Sequence, residues 1–303
     1  MNKFFPGYYP LEGEKANELW ENGVIMLDSS LLLGLFCIRQ ETAANILTIF
    51  EKQAIREKLW ITYDSAWHYH KFVNEVILRQ IESVGKMKYL LNQALNLSKS
   101  ETSYPYFNPD ILTSFQDIAN ALNAECDVQK NTQREMLYCY ELKNRIDRLF
   151  SDHVGTPYEP AELDELYKQG EMRCVKLIPP GYTTSQYEDK RLRYHDFIVW
   201  QQMIKHAMTT HKNIIMCTAR LSDDWFYIID GDPVISNSQI VNEFQEEAHQ
   251  AFRCYSLKIF LNECCEHNLL TREERERISE NVNIRFDVSS NDSMITTQNN
   301  SQS

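Results

Sequence analysis

The sequence predicts an α/β protein in which a parallel sheet is flanked by helices and interrupted by a long helical insertion. Short apolar runs, typical of strands buried on both faces, occur at 24–28, 59–62 and 213–217. Apolar residues at helical spacing lie between these runs. Asp28 closes the first run and Asp196 opens a later apolar segment, as in open α/β sheets that build a site from distant parts of the chain.

The first elements follow directly from this pattern. Residues 14–22 are predicted to form a short helix, and 24–28 a buried strand. Ser29 and Ser30 are typical N-cap residues, so we expect one continuous helix from Leu31 to Lys52.

The middle of the chain is predicted to be almost wholly helical. Asn108 and Pro109 indicate a second helix start, because proline is favoured in the first helical turn. Two apolar stripes suggest helical hairpins standing off the sheet. The first comprises Val73, Ile77, Ile81, Val84, Leu91 and Leu95, and the second Cys139, Leu142, Ile146 and Leu149.

Strand-like sequence returns late in the chain. Residues 225–229 are predicted as a strand before a turn at 230–233, and helices are expected at about 237–262 and 271–281. An edge strand is suggested by the alternation of Ile284, Phe286 and Val288.

We expect one domain over residues 1–288, with the helical insertion at about 67–165. The polar residues from 289 to 303 are expected to form a disordered tail. The insertion is long enough to offer a surface for a protein partner or for homo-oligomerisation.

Composition limits the function classes. The chain has 303 residues, is 43% hydrophobic and carries a net charge of −12, which argues against an overall electrostatic grip on nucleic acid but not against local binding. The eight cysteines show no metal-binding spacing and are expected to be reduced. No signal peptide or membrane span is indicated, so we expect a cytoplasmic protein with no membrane partner.

Four sequence blocks, taken in order, resemble the PIN-like nuclease superfamily, and within it a bacterial branch marked by a Pro-Pro-Gly-Tyr element. A fifth segment, from Ala251 to Leu261, also looks like that branch. The resemblance covers about residues 4–262, with a variable helical middle. The four blocks are Gly23 to Leu32; Leu59 to Thr62; Ile178 to Tyr182 followed by His195 to Trp200; and Ile214 to Thr218 followed by Asp223, Asp224 and Trp225.

The resemblance implies a Rossmann-like parallel sheet with acidic residues at its carboxyl edge that hold Mg²⁺ or Mn²⁺. In that family, the site hydrolyses phosphodiesters, usually of RNA, through metal-bound water. It therefore implies a metal-dependent endoribonuclease, and the branch looks like toxins or antiviral-defence effectors.

Asp28 matches the first acidic ligand of that family and Asp196 the third. The second position, a glutamate in the family, is occupied by His68, which we predict to be a catalytic and metal-binding residue together with Asp28 and Asp196. Asp64 is an alternative if its loop bends inward. Asp224 is included as a further candidate metal ligand, although it matches a later Asp-Trp element.

The fourth family motif usually reads Thr-Asp-Asp, whereas this chain reads Thr218, Ala219 and Arg220. Two outcomes follow. Asp28, Asp196 and His68 could hold one divalent cation, with the imidazole favouring a transition metal. Alternatively, Arg220 could neutralise the remaining carboxylates and leave a PIN fold that binds nucleic acid or protein without cutting.

A basic strip precedes Asp196 in an otherwise acidic chain. We predict that it binds the phosphate backbone, and the alternative is a solvated loop and helix start. Its members are Arg173, Lys176, Lys190, Arg191 and Arg193.

Overall fold

The computed structural model describes residues 1, 5–99, 106–138, 141–182, 187–278 and 284. Within these residues, the helices are α1 (Glu14–Asn22), α2 (Ser29–Gly34), α3 (Gln40–Phe50), α4 (Gln53–Arg56), α5 (Tyr63–Ser98), α6 (Pro109–Tyr138), α7 (Glu141–Phe150), α8 (Pro160–Lys176), α9 (Lys190–Arg193), α10 (His195–Thr210), α11 (Ser238–Ala248), α12 (Leu257–Glu266) and α13 (Arg272–Glu276). The strands are β1 (Val24–Leu27), β2 (Leu59–Trp60), β3 (Ile214–Thr218), β4 (Phe226–Ile229), β5 (Asp232–Ser236) and β6 (Phe252–Ser256).

The α/β prediction is confirmed by a four-stranded parallel sheet in the order β2-β1-β3-β6. Because all four strands run in the same direction, their carboxyl ends meet at one edge. The residues that follow β1 and β2, and the last residues of β3 and β6, are therefore neighbours across this edge. Strands β4 and β5 form a separate antiparallel hairpin around Asp230 and Gly231.

The core between the sheet and α10 is built around Trp200, which is fully buried. Its indole lies 5.1 Å from the ring of Phe252 on β6 and 5.4 Å from that of Phe244 on α11. Aromatic pairs at these separations contribute packing energy beyond simple area burial. This packing fixes the start of α10, and thus Asp196, against the sheet.

The expectation of one helix from Leu31 to Lys52 was wrong. The chain forms α2, a 3₁₀ turn at Leu35–Cys37, and then α3, because Ile38 and Arg39 adopt extended backbone conformations. The N-cap is Asp28 rather than a serine, since its side chain accepts a hydrogen bond from the Ser30 N–H.

The continuous helix expected at 237–262 was also wrong. His249 takes a left-handed conformation with φ of 55° and ends α11. The chain then enters β6, which pairs with β3 from Phe252 to Ser256 before α12 begins. The second predicted strand is shorter than expected, because only Leu59–Trp60 is strand and Ile61 makes an isolated bridge to Val154.

Several predicted elements have the expected positions. These are α1, the start of α6 at Pro109, β3 and β4. The helix predicted at about 271–281 is limited to α13 within the described residues. Cys139, the alternating segment beyond Ile284 and the predicted tail lie outside the described residues.

The chain divides into two compact units, one of residues 1–71 with 145–303 and the other of residues 72–144. The second unit contains most of α5 and all of α6. Asn92 and Asn123 exchange side-chain hydrogen bonds within it, and Lys88 forms a 2.6 Å ion pair with Asp127. The functional residues discussed below all belong to the first unit.

Candidate functional site

Asp28 lies at the carboxyl edge of the sheet, directly after β1, and is only 6% exposed. Hydroxyl groups from three neighbouring segments donate to its carboxylate. The donors are Ser30 Oγ at 2.5 Å, Thr218 Oγ1 at 2.9 Å, Ser65 Oγ at 3.3 Å and Ser29 Oγ at 3.4 Å. These contacts join the ends of β1 and β3 to the start of α5 around one carboxylate.

Asp196 occupies the first turn of α10 and is 4% exposed. Arg220 Nη1 donates to its Oδ1 over 3.1 Å, and the two side chains are 15% and 5% exposed. The Arg220 backbone N–H also donates to Thr218 Oγ1, which in turn donates to Asp28. Arg220 is thus anchored between the two aspartates that the sequence singled out.

His68 and His195 fill the space beside these carboxylates. Their rings stack with centroids 4.3 Å apart and planes inclined by 21°. Burial first, then Arg220, lowers the pKa of His195 to about 3. The pKa of His68 is also lowered, by burial and then by His195. Both imidazoles are therefore neutral near pH 7.

Asp64 does not take the place of the missing acidic ligand. Its carboxylate is fully buried and accepts hydrogen bonds from Arg191 Nε at 2.7 Å and Gln202 Nε2 at 3.0 Å. Burial raises its pKa, and the guanidinium of Arg191 opposes that rise. This carboxylate is thus satisfied by its own partners in the fold.

Asp224 is fully buried just before Trp225. It contributes, after burial, to the raised pKa values of Cys174 and Tyr182. Cys174 lies in α8, where its thiol donates to the Gly181 carbonyl over 3.4 Å, and Tyr182 directly follows Gly181. Asp224 is therefore within electrostatic range of the Pro179-Pro180-Gly181 turn.

The residues at the edge do not have the arrangement that a divalent metal ion requires. Within the described ranges, no group of three or more His, Cys, Asp or Glu side chains is arranged to hold one. The stacked His68 and His195 rings direct their lone pairs within nearly parallel planes, so these do not converge on one ion. The guanidinium of Arg220 already supplies positive charge to Asp196. The observed arrangement does not fit a metal site.

Two residues of the predicted basic strip form ion pairs inside the fold. Arg173 makes a bidentate pair with Glu243, at 2.7 and 2.8 Å, and its guanidinium lies over the Phe197 ring. Arg191 is paired with Asp64. These contacts hold α8 and α9 in place.

The remaining members of the strip differ in exposure. Arg193 donates to the Tyr187 carbonyl and is partly buried. Lys176 and Lys190 are exposed, and within the described part of the chain neither forms an ion pair. They are the members best placed to meet a phosphate backbone.

Sequence reasoning missed the hydroxyl groups around Asp28. Ser30, Ser65 and Thr218 are buried at 5% exposure or less, although serine and threonine are ordinarily exposed. A signal was present, because each of them closely follows or ends an apolar strand run. Reading these positions together as one edge would have placed them beside Asp28.

The fold and this edge define an α/β protein with a Rossmann-like parallel sheet and buried carboxylates where the strands end. A family model described as a PIN-like domain matches residues 24–240, so the chain belongs to the PIN-like family. This is a nuclease-type superfamily, whose domains generally bind nucleic acid. Comparisons with curated proteins and with solved structures found no match. No helix in the described ranges is long and apolar enough to cross a bilayer.

Proposed function

We propose that this protein is a nucleic-acid-binding PIN-like domain with RNA as its ligand, in which Arg220 takes the place of a divalent metal ion. The observation that carries this proposal is the buried ion pair between Arg220 and Asp196. It is the arrangement expected of a PIN fold that has exchanged metal-dependent hydrolysis for binding.

The energetics of the ion pair support this proposal. Removing one partner of a buried pair costs about 3–5 kcal/mol, because the other charge is left uncompensated. A metal ion at Asp196 would compensate the carboxylate itself, but it would have to compete with the guanidinium of Arg220 and would be repelled by its positive charge, which is a cost to metal binding. A histidine in place of the family's second acidic residue gives the ion less negative charge to repay this cost.

Local positive charge supports nucleic-acid binding despite the acidic chain. Lys176 and Lys190 are exposed on the same strip that precedes Asp196. Lysines of this kind bind phosphates and release counterions, so the affinity for RNA should fall as salt concentration rises.

Metal-dependent RNA cleavage, with a role as a toxin or antiviral-defence effector, is the second candidate. The observation that favours it is the retention of Asp28 and Asp196, both buried at the carboxyl edge of the sheet. In this candidate Mg²⁺ or Mn²⁺ would be held by Asp28, Asp196 and His68 after Arg220 had moved away. The metal would supply an activated water.

The two candidates are separated by measuring binding and cleavage on the same fluorescent single-stranded RNA. We expect anisotropy to show that the full-length protein binds RNA equally well in EDTA, Mg²⁺ and Mn²⁺. Gel analysis should show no cleavage that EDTA suppresses. A single-stranded DNA of the same sequence tests the preference for RNA.

The variants Asp28→Asn and Asp196→Asn provide the site controls, with the exposed Asp152→Asn as a matched variant elsewhere. Metal-dependent cleavage by the wild type that is lost in both site variants and kept in Asp152→Asn would establish the second candidate. Absence of RNA binding at low salt would refute the proposal itself.

A further inference from the structure

A cluster of aromatic and cationic side chains borders the buried edge. Tyr63, Trp67 and Lys71 occur at four-residue spacing in the first turns of α5, so they share one helix face. The neighbouring face carries Asp64 and His68, which are buried. Tyr63 and Trp67 remain partly exposed. The cluster is therefore the solvent-facing continuation of the candidate site.

Two cations contact the indole of Trp67. The guanidinium carbon of Arg191 lies 4.1 Å from its ring centroid, and Lys71 Nζ lies 4.9 Å from it. Arg191 also lies 5.7 Å from the ring of Tyr63. Distances under about 6 Å allow a cation–π attraction.

Arg191 is held by a stronger ion pair than Lys71. Arg191 is 23% exposed and fixed by its 2.7 Å contact with the buried Asp64. Lys71 is 38% exposed, and its ion pair with Asp189 is 3.6 Å long. Exposed ion pairs of this kind contribute little stability, so the Lys71 ammonium can move to another anion at small cost.

Partly exposed aromatic rings beside cations are one means by which proteins bind single-stranded nucleic acid. Bases stack on the rings or on arginine planes, while the cations contact the backbone. We propose that Trp67, supported by Arg191, stacks one base of a single-stranded nucleic acid, and that Lys71 binds an adjacent phosphate. This inference rests on the proposed function and deepens it by naming a base-binding site.

The test uses the full-length protein and two 5′-labelled single-stranded oligonucleotides of equal length. One is oligo-uridine, and the other has the same sugar-phosphate backbone without bases. Trp67→Ala should weaken binding to oligo-uridine roughly 10-fold, as expected for the loss of one stacked base, and should change binding to the abasic strand less than about 2-fold. Trp67→Phe should retain most of the affinity.

Lys71→Gln should weaken binding to both strands, and should reduce the salt slope of log K by about 0.7 for one lost phosphate contact. Tyr227→Ala is the matched control, because Tyr227 is 47% exposed on the β4–β5 hairpin. It should leave both affinities unchanged. Circular dichroism and thermal melting establish that each variant is folded.

Each result distinguishes the two proposals. If the wild type binds oligo-uridine and Trp67→Ala binds it equally well, the stacking site is overturned while RNA binding stands. An equal loss on the abasic strand would overturn it too, because Trp67 would then only position Arg191. If the wild type binds no single-stranded nucleic acid, the proposed function fails and the stacking site with it.

Discussion

Asp28 and Asp196 lie at the same edge of the sheet and are almost equally buried, at 6% and 4% exposure. Their partners differ in kind. Asp28 accepts hydrogen bonds from uncharged hydroxyl groups of Ser30, Ser65 and Thr218. Asp196 accepts one from the charged guanidinium of Arg220. One carboxylate is thus solvated by dipoles and the other is neutralised by an opposite charge.

The difference shows two ways in which the fold satisfies a buried carboxylate. Hydroxyl groups can rotate and donate to other acceptors, so the partners of Asp28 are exchangeable. A guanidinium remains charged at all accessible pH values, so Asp196 keeps its partner. In the proposed function, the Arg220 side of the edge is the side that excludes a metal ion.

The largest expected effect comes from Arg220→Ala. It leaves the Asp196 carboxylate buried without its guanidinium, and the free energy of unfolding should fall by about 3–5 kcal/mol. Urea denaturation followed by circular dichroism measures this change. Lys205→Ala is the control, because it breaks an exposed pair with Glu162 and should have a much smaller effect. Equal losses in the two variants would show that the Arg220 pair is not structural.

Arg220→Ala also tests whether the guanidinium keeps a metal ion away from Asp196. Removing Arg220 restores an uncompensated carboxylate, so Mn²⁺ should raise the melting temperature of Arg220→Ala and leave that of the wild type unchanged. If Mn²⁺ stabilises the wild type as much, the guanidinium does not exclude the ion, and metal-dependent cleavage becomes the better candidate.

A smaller effect is expected at Asp28. Asp28→Ala removes the N-cap of α2 and leaves buried hydroxyl groups without their acceptor, which should cost about 2 kcal/mol. Asp28→Asn keeps one acceptor oxygen and should cost about half as much. Urea denaturation of both variants measures the difference. Equal losses in Asp28→Asn and Asp28→Ala would mean that the carboxylate charge, which both variants remove, stabilises this position rather than the hydrogen bonds that only Asn can still accept.

The fold could be predicted where a segment's own residues determine its structure. The apolar run of β1 and the proline at the start of α6 are local signals, and both elements lie where expected. Strand β6 was missed because Arg253 and Tyr255 alternate with buried residues inside a segment that also has helical apolar spacing. Its strand conformation depends on pairing with β3, which is a tertiary contact.

In the candidate site, too, local sequence signals could be predicted and tertiary contacts could not. Asp28 and Asp196 could be located from the apolar segments beside them, and one of the two outcomes predicted from the sequence was that Arg220 neutralises the remaining carboxylates. Whether it does so depends on the packing of the chain after β3 against α10, which no local pattern specifies. The stacking of His68 on His195 has the same origin, because these residues are far apart in sequence and meet only in the fold.

A pH-dependent effect is expected on the Asp196 side of the edge. His195 is buried beside Arg220 and is also within electrostatic range of Arg191, and its pKa is lowered from 6.5 to about 3. The unfolded state therefore binds more protons than the folded state between these values, so stability is lost as the pH falls below 6.5.

His195→Phe keeps a planar ring against His68 and removes this titration. Between pH 7.5 and 5.5, the wild type should lose about 1.4 kcal/mol more than His195→Phe, measured by urea denaturation at each pH. His70→Gln, which removes an exposed imidazole from the same helix as His68, controls for the loss of a histidine as such. Identical pH profiles for the wild type and His195→Phe would mean that His195 has the same pKa in the folded and unfolded states, so that neither burial nor Arg220 lowers it.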